Sequence, residues 1–113
     1  MLPRIHRLVR ERDFKRVYRY CYTYFSPFVI LKFAKNNQNK SRFGFIVGNK
    51  ISKKSTKRNK IKRFLRAIVS TDLKNIKLGH DYVLIARSAI VDRKYSEIKS
   101  EIEKLFKRSK QVK

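Results

Sequence analysis

Acidic residues are missing from the middle of this chain. Between Asp13 and Asp72 there is none, and the eight acids of the whole sequence are scattered. That excludes paired carboxylates for acid–base work in the basic half and the carboxylate cluster that two-metal phosphodiester chemistry requires. Cysteine is nearly absent too. Cys21 stands alone, which excludes an intramolecular disulfide and suits a reducing compartment. Two prolines and three glycines leave no flexible linker, and Gly44 and Gly48 lie in strand context, so no glycine-rich phosphate loop exists. No apolar run approaches a membrane span. The start, Met1-Leu2-Pro3-Arg4-Ile5-His6-Arg7, lacks the apolar stretch of a signal peptide. His6 and His80 lack a metal-ligand spacing. No catalytic and no metal-binding residue is expected, and the expected location is cytoplasmic.

What is present is positive charge. Lys and Arg number 31, and the formal net charge is +23. Self-repulsion on that scale opposes folding, so it implies a polyanionic partner, nucleic acid first and an anionic membrane surface second. Hydrophobic residues make up 42% of the 113 residues, enough for one packed domain and too many for a disordered basic tail. The acids fall mostly in the last third, so the positive field is strongest on the N-terminal and central elements.

The pattern predicts a first helix over 11–21, with Phe14, Val17, Tyr18 and Cys21 on one face. Cys21 reads as buried filler. After Pro27, the run 28–33 reads as a strand. Asn36-Asn37-Gln38-Asn39 is a polar turn, and 42–47 is the returning strand, antiparallel to the last. A second helix covers about 56–71, where Ile61, Phe64, Leu65, Ile68 and Val69 form one stripe. Gly79 and His80 close a loop. Tyr82-Val83-Leu84-Ile85-Ala86 reads as a central strand covered on both faces. Asp92 is the expected N-cap of a last helix over about 93–108, built on Tyr95, Ile98, Ile102, Leu105 and Phe106. Asp72, Asp81 and Asp92 all read as caps and turn residues, and the tail from about 109 as frayed. The sum is an α+β fold, one sheet packed against helices.

The densest feature runs from Lys50 to Arg66: a basic loop with Lys50, Lys53 and Lys54, then a helix with Lys57, Arg58, Asn59, Lys60, Lys62, Arg63 and Arg66. Its apolar stripe fixes the helix on the sheet, which holds the cations on a rigid element. Arginine offers a planar fork for phosphate oxygens, lysine a compact charge, and Asn59 can both donate and accept. A merely solvated helix face would mix the signs of its charges. Phe14 and Tyr18 lie one turn apart among Arg12, Lys15, Arg16 and Arg19. Such a pair reads either as core or as a platform for stacking single-stranded bases between backbone-tracking cations. Tyr20, Tyr22 and Tyr24 alternate, and which side of them is buried stays open.

Arg58-Asn59-Lys60-Ile61-Lys62-Arg63-Phe64-Leu65-Arg66 resembles the signature helix of the bacterial ribonuclease P protein component. Phe14-Lys15-Arg16-Val17-Tyr18, Arg42-Phe43-Gly44-Phe45-Ile46-Val47 and Asp81-Tyr82-Val83-Leu84-Ile85-Ala86-Arg87 resemble that family's first helix, the strand entering the signature helix, and its last strand. The segments occur in family order across nearly the whole chain. The sequence departs from the pattern at Lys60, Phe64 and Gly48-Asn49-Lys50.

The resemblance implies a single-domain α–β sandwich spanning 1–113, of order αβββαβα, with a left-handed βαβ crossover against the general rule. It implies a protein subunit without catalytic residues, serving a catalytic RNA that uses Mg²⁺, held mainly by the RNA, to cut precursor tRNA at its mature 5′ end. Lys50 to Arg66 would bind that RNA. Phe14, Tyr18, Arg12, Lys15 and Arg16 would line a cleft for the 5′ leader. No membrane and no protein partner is required. A ribosomal RNA-binding protein or assembly factor is the alternative. DNA binding is disfavoured, because the basic helix spends its apolar stripe on its own sheet and nothing signals a dimer.

Overall fold

A computed structural model describes residues 4–112. The readings of Met1–Pro3 at the chain start and of Lys113 at the tail lie outside the described residues. After a short 3₁₀ turn, Arg4–His6, come α1 (Glu11–Tyr20), β1 (Tyr22–Phe25), β2 (Val29–Lys35), β3 (Arg42–Ile46), α2 (Ser55–Asp72), β4 (His80–Ala86) and α3 (Tyr95–Arg108). The element order is αβββαβα, as the resemblance implies.

The sheet runs β1-β2-β4-β3. β3 is antiparallel to β2 in direction, but the two do not pair. β4 lies between them, antiparallel to β2 and parallel to β3. The chain leaves β3, passes through α2 and returns to its parallel neighbour β4. β4 is thus interior to the sheet and buried on both faces along most of its length, with Ile85 alone half-buried, as its unbroken apolar run leads one to expect.

Alternation along the strands sorts two faces. Leu31, Phe33, Phe43, Tyr82 and Leu84 point to one side and join Ile61, Leu65, Ile68 and Val69 of α2 with Ile98, Ile102, Leu105 and Phe106 of α3 in the main core. On the other side Leu8, Val17 and Val83 form a second, much smaller cluster under α1, flanked by Phe14, Cys21, Ile46 and Ile85. The N-terminal segment runs along β3, where the Leu8 N–H donates to the Phe43 carbonyl at 2.8 Å.

Several expectations are corrected here. His80 is not in a loop: it opens β4 and is buried. Asp92 is not the cap of α3. It sits at φ 62°, and the helix starts at Tyr95, with the Lys94 N–H donating to the Glu97 carboxylate at 3.2 Å. Ser109 and Gln111, expected in a frayed tail, are packed. Both are buried, the Lys77 N–H donates to the Gln111 carbonyl at 2.8 Å, and the buried Tyr82 hydroxyl lies 3.1 Å from Gln111 Oε1. The Tyr82 hydroxyl donates at 2.7 Å to the Lys77 carbonyl, so it is the backbone bond between Lys77 and Gln111 that ties the tail down, which polar composition alone does not reveal.

Candidate nucleic-acid interface

α2 carries its cations in an arrangement unfavourable to the helix itself. No acid occupies its first turn, where the partial positive charge of the helix dipole calls for one. Lys54, Lys57 and Arg58 stand there instead. The same geometry that repels cations attracts phosphate, through free backbone N–H groups and the dipole together. What compensates is burial: Ile61, Leu65, Ile68 and Val69 are sealed against the sheet and α3, each contributing about 1.5–3 kcal/mol.

Around the outside, Lys50, Lys53, Lys54, Asn59, Lys60, Arg63 and Arg66 are exposed, and Lys57, Arg58 and Lys62 are half-buried. Among the described residues, no carboxylate lies within ion-pair distance of Lys50, Lys53, Lys54, Lys62, Arg63 or Arg66. Three predicted residues are partly engaged. Lys57 pairs with Asp92 at 3.4 Å. The Lys60 ammonium lies 5.6 Å from the centre of the Phe64 ring, which meets Tyr95 edge-on at 5.4 Å. Arg58 donates to the Ser52 carbonyl at 2.8 Å, so this guanidinium also shapes the basic loop.

The predicted aromatic pair lies on the opposite face of the sheet. Phe14 is half-buried because β3 has a glycine beneath it: a Cβ on Gly44 would lie 2.4 Å from the Phe14 ring. Tyr18, one turn on along the same flank, is 43% exposed, and partial burial raises its phenol above the ordinary value. Beside them the sheet is incompletely covered. Ile30, Lys32, Ile46 and Ile85 share this face and are only half-buried. An aromatic wall beside an apolar floor with a lysine can take unstacked bases. Lys15 is exposed and pairs with Glu11 at 3.3 Å. Arg12 is exposed and lies about 200° round the helix from Phe14.

Arg16 is drawn elsewhere, to a carboxylate that sequence reasoning assigned to a turn. Asp81 is fully buried in β4. It accepts from Arg42 at 2.8 and 2.7 Å, from Arg16 at 3.0 Å and from Asn36 at 2.9 Å. Arg42 also reaches Asp13 of α1 at 3.4 Å. Burial alone would push the Asp81 carboxyl up. The hydrogen bonds and charge of Arg42, with Asn36 and Arg16, outweigh it and hold the group below its ordinary value. Hydrogen bonding to Asp81 likewise raises Arg42. The network ties α1 to the sheet beside a very small apolar contact. Only the register, which sets Arg42 opposite Asp81, reveals it.

No group of three or more His, Cys, Asp or Glu among the described residues could hold a metal. His6 and His80 each donate from Nδ1 to a backbone carbonyl, of Ser41 at 2.7 Å and Leu78 at 3.0 Å. Among the described residues no helix is long and apolar enough to cross a membrane.

Known proteins resemble this one in sequence and in fold. The ribonuclease P family model matches residues 2–110. The ribonuclease P protein component of Natranaerobius thermophilus is 33% identical over 109 residues, covering 96% of this chain and 94% of the relative. That of Alkaliphilus oremlandii is 34% identical over 104 residues, covering 92% and 90%. A solved Staphylococcus aureus RNase P protein mutant with defective mRNA degradation activity superposes with a TM-score of 0.88 at 27% identity, over 96% of this chain and 91% of the other. The Thermotoga maritima RNase P protein gives 0.83 at 29% identity, over 90% and 96%. With the family model spanning residues 2–110 and relatives 33–34% identical over more than nine-tenths of the sequence, this chain belongs to the ribonuclease P protein component family.

Proposed function

We propose that the chain is the RNA-binding subunit of a cytoplasmic ribonuclease P. In this reading α2 and the loop before it grip the catalytic RNA, and the half-covered sheet face beside Phe14 and Tyr18 holds the 5′ leader of precursor tRNA. The RNA holds the Mg²⁺ and cleaves the phosphodiester. The protein screens repulsion between the two RNAs and positions the substrate. The observation that carries the reading is a rigid helix whose apolar side is buried and whose free cations have no acidic partners. Family membership supplies tRNA 5′ maturation as the process.

Reconstitution tests it. The purified chain, mixed with a bacterial ribonuclease P RNA at low Mg²⁺, should stimulate cleavage of precursor tRNA and bind precursor more tightly than mature tRNA. Cleavage by the polypeptide freed of RNA would overturn the division of labour. Equal affinity for precursor and mature tRNA would remove the leader role and favour a ribosomal RNA-binding protein or assembly factor.

A further inference from the structure

The end of α1 carries a second aromatic surface that neither part of the proposed function uses. Tyr20 and Tyr22 are 64% and 67% exposed, far more than packing requires of tyrosines in a small domain. With Arg16, Ala34 and Lys35 they line a shallow depression of about 330 Å³, a size within the range of small-ligand sites. It lies on the other flank of α1 from Phe14 and Tyr18: at about 100° per residue, Tyr20 falls some 120° round the helix from Phe14.

Three features equip this corner for a nucleotide. The first is ring geometry. Arg19 lies over the Tyr20 ring, 5.4 Å from its centre, and the tyrosine is otherwise largely exposed. Tyr22 leans on Phe33 with centroids 5.6 Å apart, which fixes its ring. The second is charge. Lys35 lines the depression beside the rings and Arg19 lies against Tyr20, while Arg16, also in the lining, is already paired with the buried Asp81.

The third is the sheet edge. β1 pairs with β2 only as far as Tyr22 opposite Phe33, while β2 continues to Lys35. The Asn36 N–H and the Phe28 carbonyl both point toward β4, and the Val29 carbonyl points the other way, toward Ser26. Strand alternation therefore turns the Lys35 backbone N–H and C=O to the outer edge, past the end of β1. A donor and an acceptor side by side on a free edge match the hydrogen-bonding edge of a base.

We infer that this corner binds one unstacked nucleotide of single-stranded RNA. The base stacks at Tyr20 and Tyr22, its edge faces the Lys35 backbone, and its phosphates face Arg19 and the Lys35 ammonium. The nucleotide comes either from the substrate leader beyond the Phe14 cleft or from an unpaired segment of the catalytic RNA.

The test uses the full chain and a fluorescent single-stranded uridine hexanucleotide, so its first arm does not depend on the function proposed above. Tyr20→Ala/Tyr22→Ala should weaken hexanucleotide binding about 5- to 150-fold, the equivalent of one stacked base. Tyr20→Phe/Tyr22→Phe should stay within about twofold, since stacking survives without the hydroxyls. The alanine pair should cost the same factor in a Phe14→Ala background. Unchanged binding, or a loss that disappears in that background, overturns a separate site. So does loss of self-association on ultracentrifugation with hexanucleotide affinity intact, which would make the corner a protein contact. In a second arm, 4-thiouridine is placed either in the leader or in the catalytic RNA of the reconstituted complex. A cross-link to the peptide carrying Tyr20 and Tyr22 identifies the source, and a cross-link from neither RNA overturns the proposal.

Discussion

The two faces of the sheet are built by opposite means. Beneath α2 and α3 lies a continuous apolar core in which strand and helix residues alike are sealed from water. Beneath α1 there are three fully buried apolar residues and, beside them, a buried carboxylate held by two arginines and an asparagine. The first face holds a helix rigidly and leaves its far side free. The second holds a helix at one end and leaves sheet surface beside it open. Under the proposed function, which asks the chain both to present cations and to accept a strand, one face of each kind is needed.

The largest test removes the charged anchor. Asp81→Ala should cost about 3–5 kcal/mol, because it strands two arginines that have left much of their water behind. Denaturant unfolding at neutral pH measures this directly. A cost under about 1 kcal/mol would mean that α1 is held by its apolar contacts alone and that the contrast between faces is illusory. The acid dependence sharpens the point. The Asp81 carboxyl lies lower in the folded chain than in the unfolded one. Its contribution is therefore complete above the unfolded value near 3.9 and is lost as the pH falls through the folded value. The stability gap between wild type and Asp81→Asn should stay flat from roughly pH 8 to pH 5 and close only below about pH 4. Narrowing already between pH 8 and pH 5 would show that the carboxyl is not held low.

A smaller change should alter the open face without dismantling it. In Gly44→Ala the new methyl enters the space of the Phe14 ring, at an overpacking cost of about 1–3 kcal/mol. The ring must swing away, so this variant should mimic Phe14→Ala in losing its preference for precursor over mature tRNA while still binding the large RNA. Competition binding with the two tRNAs reads the outcome. A Gly44→Ala protein with full preference would dissociate the ring position from leader recognition.

The smallest expected effect on folding lies on the rigid face. Arg63→Ala should leave stability within about 0.5 kcal/mol, yet lower the log–log salt slope of RNA binding by about 0.7–0.9, one phosphate contact. Arg58→Ala should lower affinity further, since Arg58 also holds the Ser52 carbonyl and its loss frees the basic loop. Equal slopes in all three proteins would take α2 out of the interface.

What could be read in advance followed from local pattern. The α2 stripe shows because apolar residues at helical spacing have one arrangement that buries them. β4 shows because an unbroken apolar run needs cover on both sides. What stayed hidden depends on chain segments far apart in sequence. That β4 inserts between β2 and β3 follows from no local feature, and the apparent hairpin of 28–33 and 42–47 misleads because antiparallel direction does not require pairing. Asp81 looks like a turn residue until register sets it against Arg42. Gln111 looks like tail until its carbonyl accepts from the Lys77 N–H. Of the candidate site, the cations of α2 were legible as a run without acids. The floor formed by Ile30, Ile46 and Ile85 was not, because half-burial is a property of how far α1 extends over the sheet.

The strand order also has a consequence for how the molecule comes into being. β4 occupies the interior of the sheet, yet it leaves the ribosome after every other strand and after the whole of α2. Until it arrives, β2 and β3 have no neighbour to share and the apolar side of α2 has no completed surface to rest on. Such distant pairings slow folding and leave unfinished edges exposed. The nascent polypeptide therefore displays 22 of its 31 lysines and arginines before it has a native sheet, and ordering must wait for the closing third of translation.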